Sequence, residues 1–325
     1  MKVAVVGCGG MGQWHAKSYA KMPGVELVGV CDIQVEYAAE TAKKVGTAAF
    51  GTFEEMLSAV EFDVVSIAVP TYLHKEVVFQ AAKAGKHVIC EKPVALHLED
   101  AKEMTACCED NGVRLFIGHV VRFFPEYAQM KQQIDAGQIG RVGVANARRV
   151  GGHPGEARPW FMDADKSGGV IVDLMVHDID FMRWTLGEVK SVYALNKCQG
   201  TMDYALVTLV FESGAVANLE AFWGYPGSFR YAAEFAGSEG LVRTDSMSAQ
   251  SLQIRKVSPP ESGGKVVEIP QSPSFFDPYY IELEHFLTCI RDGSDPIVTA
   301  HDACEALRIA KAALDSIQTG KAVPL

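Results

Sequence analysis

Three groups of residues in this 325-residue chain have the types and spacing to do chemistry. Near the N-terminus, Gly7-Cys8-Gly9-Gly10-Met11-Gly12 fits the pattern G-x-G-x-x-G. Gly7 permits a tight turn, Gly9 lets the backbone approach a pyrophosphate, and Gly12 lets the next helix pack close to its sheet. Gly10 and Met11 join them as cofactor-binding candidates, and the N-terminus of that helix offers free N–H groups to the phosphates. Asp32 stands 20 residues after Gly12, at the end of the next apolar run. There it can accept from both hydroxyls of an adenosine ribose and repel a 2′-phosphate, so NAD is the expected cofactor and NADP the alternative. The second group is Asp173, His177 and Asp180, whose spacing puts all three on one face of a helix. An imidazole beside carboxylates can take a proton and be oriented while doing so, with Asp180 the candidate for orienting it. The third is Lys92, which follows a strand end, where ligands of open parallel sheets collect. Oxidising a secondary alcohol needs a base of this kind and a positive neighbour for the developing oxyanion. The carboxylates and imidazole could also chelate a metal. A nicotinamide already supplies the electron sink, so no metal is expected.

These residues need a scaffold, and the first 120 residues supply the pattern of one. Apolar strand runs at Lys2–Gly7, Val25–Cys31, Asp63–Val69, His87–Cys90 and Val113–Gly118 alternate with helical stretches at Met11–Lys21, Gln34–Val45, Phe53–Val60, His74–Ala84 and Leu98–Asn111. That alternation predicts a parallel sheet with helices on both faces. The remainder changes character. Helical stretches at Pro125–Ala136 and Gly168–Leu186 precede strand-like segments at Val189–Lys197, Tyr204–Phe211, Ala215–Trp223, Tyr231–Ala236, Gly240–Thr244 and Leu252–Val257. A loop signal, Ser258–Gly264, follows, and helices near Pro278–Arg291 and Ala300–Thr319 close the chain. The expected fold is an α/β Rossmann domain over 1–120 and an α+β domain over 121–325 with a large, open, mostly antiparallel sheet, the C-terminal helix packing back on the first domain.

Composition narrows the function classes. Hydrophobic residues are 48% and charged residues 22%, a globular balance. The net charge of −10 shows no basic surplus, so nucleic acid is not the expected partner. No apolar run reaches the length of a membrane span, and MKVAVVGCGG reads as a first strand rather than a signal peptide. The eight cysteines include no C-x-x-C, which fits reduced thiols in a cytoplasm.

Taken in order, several motifs resemble those of the glucose–fructose oxidoreductase / inositol dehydrogenase (Gfo/Idh/MocA) family. They are the glycine turn, Ala68-Val69-Pro70-Thr71-Tyr72-Leu73-His74, Glu91-Lys92-Pro93, Gly118-His119-Val120-Val121-Arg122-Phe123, and the Gly168–Asp180 stretch with Asp173, His177 and Asp180. The likeness spans essentially the whole chain. It implies a Rossmann domain joined to an α+β domain, hydride transfer between NAD(P) and a sugar, inositol or related polyol, and a homodimer or homotetramer built through open sheet faces. It implies His177 as general acid/base, Asp173 as a substrate hydrogen-bond partner that tunes it, and Lys92 as the group that polarises the reacting oxygen. A lysine beside a positive nicotinamide is expected to titrate below its free value of about 10.4. Ile33, Val69, Pro70, Thr71, His74, Glu91, Lys92 and Arg122 join the glycine turn and Asp32 as cofactor-binding candidates. Lys92, His119, Trp160, Asp173, His177 and Tyr225 are the substrate-binding candidates. Arg149, His153, Arg158 and Phe161 lie in the segment that leads to the catalytic helix, and the Lys92–Pro93 bond is a candidate cis peptide. Two other readings stay open on the same fold: a hydrolase or lyase that uses tightly held NAD without net redox, and a regulator that senses NAD without turnover.

Overall fold

The computed structural model describes residues 1–248, 253–256, 267–270 and 277–325. The first domain is a six-stranded parallel sheet. Its strands are β1 (Lys2–Val6), β2 (Glu26–Cys31), β3 (Ala48–Phe50), β4 (Val64–Ile67), β5 (His87–Glu91) and β6 (Leu115–Gly118), in the order β3-β2-β1-β4-β5-β6. The helices between them are α1 (Gly10–Tyr19), α2 (Val35–Val45), α3 (Phe53–Ala59), α4 (His74–Lys83) and α5 (Leu98–Asp110). Strands such as Val3–Val6 and Val64–Ile67 are buried along their whole length, because helices cover both faces. The order reverses between β1 and β4, and ligands of such sheets bind at that point, beyond the carboxyl ends of the strands.

Beyond β6 come α6 (Pro125–Asp135), β7 (Val142–Gly151), the short α7 (Ala164–Ser167), a π-helical turn (Val170–Met175) and α8 (Val176–Leu186). Then follow β8 (Val189–Gln199), β9 (Met202–Phe211), β10 (Val216–Trp223), β11 (Arg230–Gly237) and β12 (Gly240–Asp245). A short antiparallel pair, β13 (Gln253–Lys256) with β14 (Val267–Pro270), stands apart, and α9 (Pro278–Asp292), α10 (Ala300–Thr319) and β15 (Val323–Pro324) end the chain. The second sheet has the order β12-β11-β7-β10-β9-β8-β15. It is antiparallel except where β10 runs parallel to β7. One face buries Ala145, Val207, Leu209, Leu219, Ala221 and Phe235, while Val144, Tyr193, Leu195, Leu206 and Leu241 stand exposed on the other. The expected loop at Ser258–Gly264, and the ends of the strand expected at Leu252–Val257, lie outside the described residues.

Two features hold the site's supports in place. α9 returns to the first domain, where Tyr280, Leu283, Phe286 and Leu287 share a core with Val3, Val5, Ala16, Ala38 and Ile89. Phe286 lies 5.1 Å from the Phe116 ring and 5.9 Å from Phe123. The core on the opposite face of that sheet runs without a break into the second domain, through α5, α8 and α10. The helix expected over Gly168–Leu186 begins with a π turn instead, a wider coil that in other proteins often marks a functional site.

Candidate active site

The carboxyl edge of the first sheet gathers most of the chemistry. Gly7 has φ +92°, and a Cβ there would collide with the Ala68 carbonyl. A Cβ on Gly12 would run into the Gly7 carbonyl oxygen, so α1 can start this close to β1 only with glycine at both positions. A Cβ on Gly9 would meet nothing within 4 Å. Among the described residues no neighbour demands that glycine, so the backbone there can approach a ligand. α1 begins with no acidic side chain in its first turn and no side-chain cap, which leaves its N–H groups for an anion. At the end of β2, Asp32 accepts from Cys8 N at 2.7 Å through one oxygen and from Gln34 N at 2.8 Å through the other. Those bonds aim the carboxylate along the glycine turn and leave lone pairs for ribose hydroxyls. Ile33 beside it is 83% exposed, an apolar surface suited to a flat base. The residues present therefore fit a dinucleotide.

Further along the edge, β5 ends in Glu91 and leads to Lys92, and the Lys92–Pro93 peptide is cis. Lys92 Nζ donates to the Asp173 carbonyl at 2.7 Å and to Asp173 Oδ1 at 3.1 Å. The first domain's lysine thus meets the π turn of the second. His177, one turn on, is half-buried, and its Nδ1 is shut from solvent with no hydrogen-bond partner among the described residues. Burial, then the charges of Lys92 and Arg149, hold its pKa well below the ordinary imidazole value. His119, expected at the substrate, is instead fully buried just past β6, 6.4 Å from His177 ring to ring and with Nδ1 3.9 Å from Asp180 Oδ2, and among the described residues neither of its nitrogens has a hydrogen-bond partner. Burial lowers its pKa as well. His177, the Lys92 ammonium and the Asp173 carboxylate therefore come together where the two domains meet, with His119 packed behind His177.

Several expected roles are corrected by where the side chains go. Asp180 does not orient His177. It is 1% exposed and holds Arg122 in a bidentate pair at 2.6 and 2.8 Å, because a carboxylate this deep needs a full charge partner. Arg122, expected at the cofactor, spends its remaining donors on the Ile297 carbonyl (2.7 Å) and Asp302 (3.3 Å). His74, also expected there, is buried with Nδ1 3.0 Å from the Pro93 carbonyl and Nε2 3.1 Å from the Val69 carbonyl, so it braces the two strand-end loops. The Glu91 side chain turns inward to His15 Nε2 at 3.0 Å, and His15 Nδ1 lies 2.7 Å from Ser66 Oγ. Burial alone would raise the Glu91 pKa, but His15, Lys92 and His74 hold it below the usual carboxylate range. Tyr225 lies on the outer side of the second sheet, against Phe222, Arg148 and Arg230, and away from the cleft. Val69, Pro70 and Thr71 do line the sheet edge after β4. Trp160 stacks on Phe161 at 3.7 Å and approaches Tyr72 of the first domain at 6.2 Å, across the cleft mouth.

The sequence reading missed the partners of these groups. Arg149 on β7 is a buried bidentate mate of Asp178 (2.9 and 2.9 Å), and His15 backs Glu91. The Asp173-to-Asp180 stretch carries three carboxylates that each take a cation from a different element, and local spacing cannot show that. Among the described residues no group of three or more His, Cys, Asp or Glu side chains is arranged to hold a metal ion.

Comparison with known proteins follows the same lines. The family described as "Oxidoreductase family, NAD-binding Rossmann fold" matches residues 1–119, and its "C-terminal alpha/beta domain" matches residues 131–325. The chain is 33% identical to scyllo-inositol 2-dehydrogenase (NAD(+)) of Bacillus subtilis, over 100% of this chain and 96% of that protein. It is 28% identical to myo-inositol 2-dehydrogenase of Thermotoga maritima, over 100% and 98%. Among solved structures, GenD2 from gentamicin A biosynthesis in complex with NAD superposes with a TM-score of 0.88 at 25% identity, covering 100% of this chain and 96% of that one.

Proposed function

The chain belongs to the oxidoreductase family with an NAD-binding Rossmann fold and a C-terminal alpha/beta domain, and from that premise we propose that it oxidises a ring hydroxyl of an inositol or closely related polyol with NAD. The observation that carries the reading is the Lys92–Asp173 contact beside a neutral His177, at the carboxyl edge of a sheet whose glycine turn fits a dinucleotide. The names of the inositol dehydrogenase relatives support the substrate class.

When bound, NAD supplies the hydride acceptor. Gly7, Gly9, Gly10, Met11 and Gly12 would hold its pyrophosphate, Asp32 its adenosine ribose and Ile33 its adenine, with Val69, Pro70 and Thr71 along the nicotinamide side. His177 takes the proton of the reacting hydroxyl, since its imidazole is neutral and free to accept. Lys92 faces the same oxygen and steadies the negative charge that develops on it. Asp173 holds Lys92 in place and accepts from a neighbouring hydroxyl. Trp160 closes the apolar side. A neutral, hydroxyl-rich ring suits this set better than a charged acid, because most nearby cations are already spent on buried carboxylates.

The test is the reduced-nicotinamide absorbance when purified protein and NAD meet a panel of inositols, aldoses and sugar acids. The reading expects a rise with a cyclitol and little with the acids. Tightly held NAD with products of elimination and no net absorbance change would favour the lyase reading instead. All eight cysteines carry free thiols, and among the described residues no helix is long and apolar enough to cross a membrane.

A further inference from the structure

We propose that Arg158, carried on the second domain, clamps the pyrophosphate of bound NAD against the glycine turn of the first. This rests on the reading of Gly7–Gly12 as the dinucleotide cradle. A Cβ placed on Gly10 would run into the Arg158 guanidinium, whereas one on Gly9 would meet nothing. The guanidinium therefore lies over the first residue of α1, beside the opening that suits a phosphate. Its side chain is exposed and has no hydrogen bond or ion pair among the described residues. Most other arginines here are used. Arg122, Arg149, Arg183 and Arg308 all hold carboxylates.

An unpartnered guanidinium is out of place at this position by itself. The amino end of a helix carries partial positive charge, and the first turn of α1 has no acidic side chain to offset it. An anion held beside both turns that repulsion into attraction on each. A pyrophosphate diester carries two negative charges and presents oxygens that match the planar fork of arginine. The segment that delivers Arg158 is well anchored. Phe161 packs 5.6 Å from Trp223, His153 packs 5.2 Å from the same ring, and His153 Nδ1 accepts from Gly155 N at 2.9 Å. Together with Trp160 over Tyr72, Arg158 would make cofactor binding draw the two domains together at the mouth of the cleft.

Titration calorimetry of the whole chain tests this with NAD, ADP-ribose and adenosine, comparing wild type, Arg158→Ala, Arg158→Lys and Asp32→Ala. Arg158→Ala is expected to weaken NAD and ADP-ribose about ten- to hundredfold, the span of a charge-assisted hydrogen bond. Arg158→Lys should recover part of that loss. Adenosine, which has no phosphate, should bind both variants within about twofold of wild type, and ligand-free melting should not change, as expected for an exposed unpaired side chain. The clamp is overturned if Arg158→Ala binds NAD within about twofold of wild type, or loses adenosine as strongly as NAD. If Asp32→Ala weakens all three ligands while Arg158→Ala weakens none, the clamp alone fails. If neither substitution matters, the cradle fails with it.

Discussion

The Lys92 charge disfavours a second positive charge on the neighbouring His177. Burial is the first cause of the low His177 pKa and the Lys92 charge the second. Lys92→Met removes the second and leaves the first, so the His177 pKa should rise toward the ordinary imidazole value of about 6.5 without reaching it. Titration of the His177 ring by NMR in the variant and the wild type measures this directly, and an unchanged or lower value contradicts the proposed coupling. In alcohol oxidation His177 must be unprotonated. The acid limb of kcat/KM in the wild type should therefore lie below that ordinary value, and it should move upward with any change that brings the pKa up. Residue types alone revealed which groups could do chemistry, and for Lys92, Asp173 and His177 they pointed to groups that do converge. They misjudged Arg122, His74 and Glu91, because a polar residue on a motif can serve the ligand or the protein. Which it serves depends on a distant partner such as Asp180 or His15.

α8 and its π turn are the element on which the site hangs. Asp173 takes Lys92 from the first domain, Asp178 takes Arg149 from β7, and Asp180 takes Arg122 from the end of the first sheet. Each pair fixes one direction of the helix, so His177 is aimed by carboxylates that never touch it. Breaking a buried pair leaves an uncompensated charge. Arg122→Met should cost about 3–5 kcal/mol of stability by denaturant unfolding, with much of it regained when Asp180→Leu is added. NAD affinity of the folded variant should stay within about twofold, and a loss of tenfold or more would return Arg122 to the cofactor. Most helices and most strands of this framework were legible because apolar periodicity and terminators mark them. β7 was not, since Arg148 and Arg149 interrupt its apolar pattern and the partner that lets Arg149 be buried lies on α8. The π turn was not, because a shift in hydrogen-bond register leaves the same residues apolar.

The two domains and the open sheet could be read from the whole chain's alternation of elements, but the way they interlock could not. α9 leaves the second sheet and completes the core of the first, an arrangement that depends on Phe286 meeting Phe116 and Phe123 far away in sequence. The outer sheet face, with exposed Val144, Tyr193, Leu195, Leu206 and Leu241 around the Arg148–Glu220 pair, is the surface we expect a second copy to cover. Light scattering should find dimers or tetramers of the wild type, and Leu195→Glu with Leu206→Glu should release folded monomers. A monomeric wild type at micromolar concentration would sink that expectation. Proton transfer for an NAD-linked oxidation belongs, on this reading, to the one meeting point of the two domains at His177. Its most direct test is turnover of the best cyclitol by His177→Ala beside wild type, with NAD affinity measured on the same samples. The expected result is a fall in kcat of about 10²–10⁴, the usual worth of a positioned acid/base, with NAD binding unchanged. Wild-type turnover in His177→Ala, or a loss explained wholly by weaker NAD binding, would contradict it.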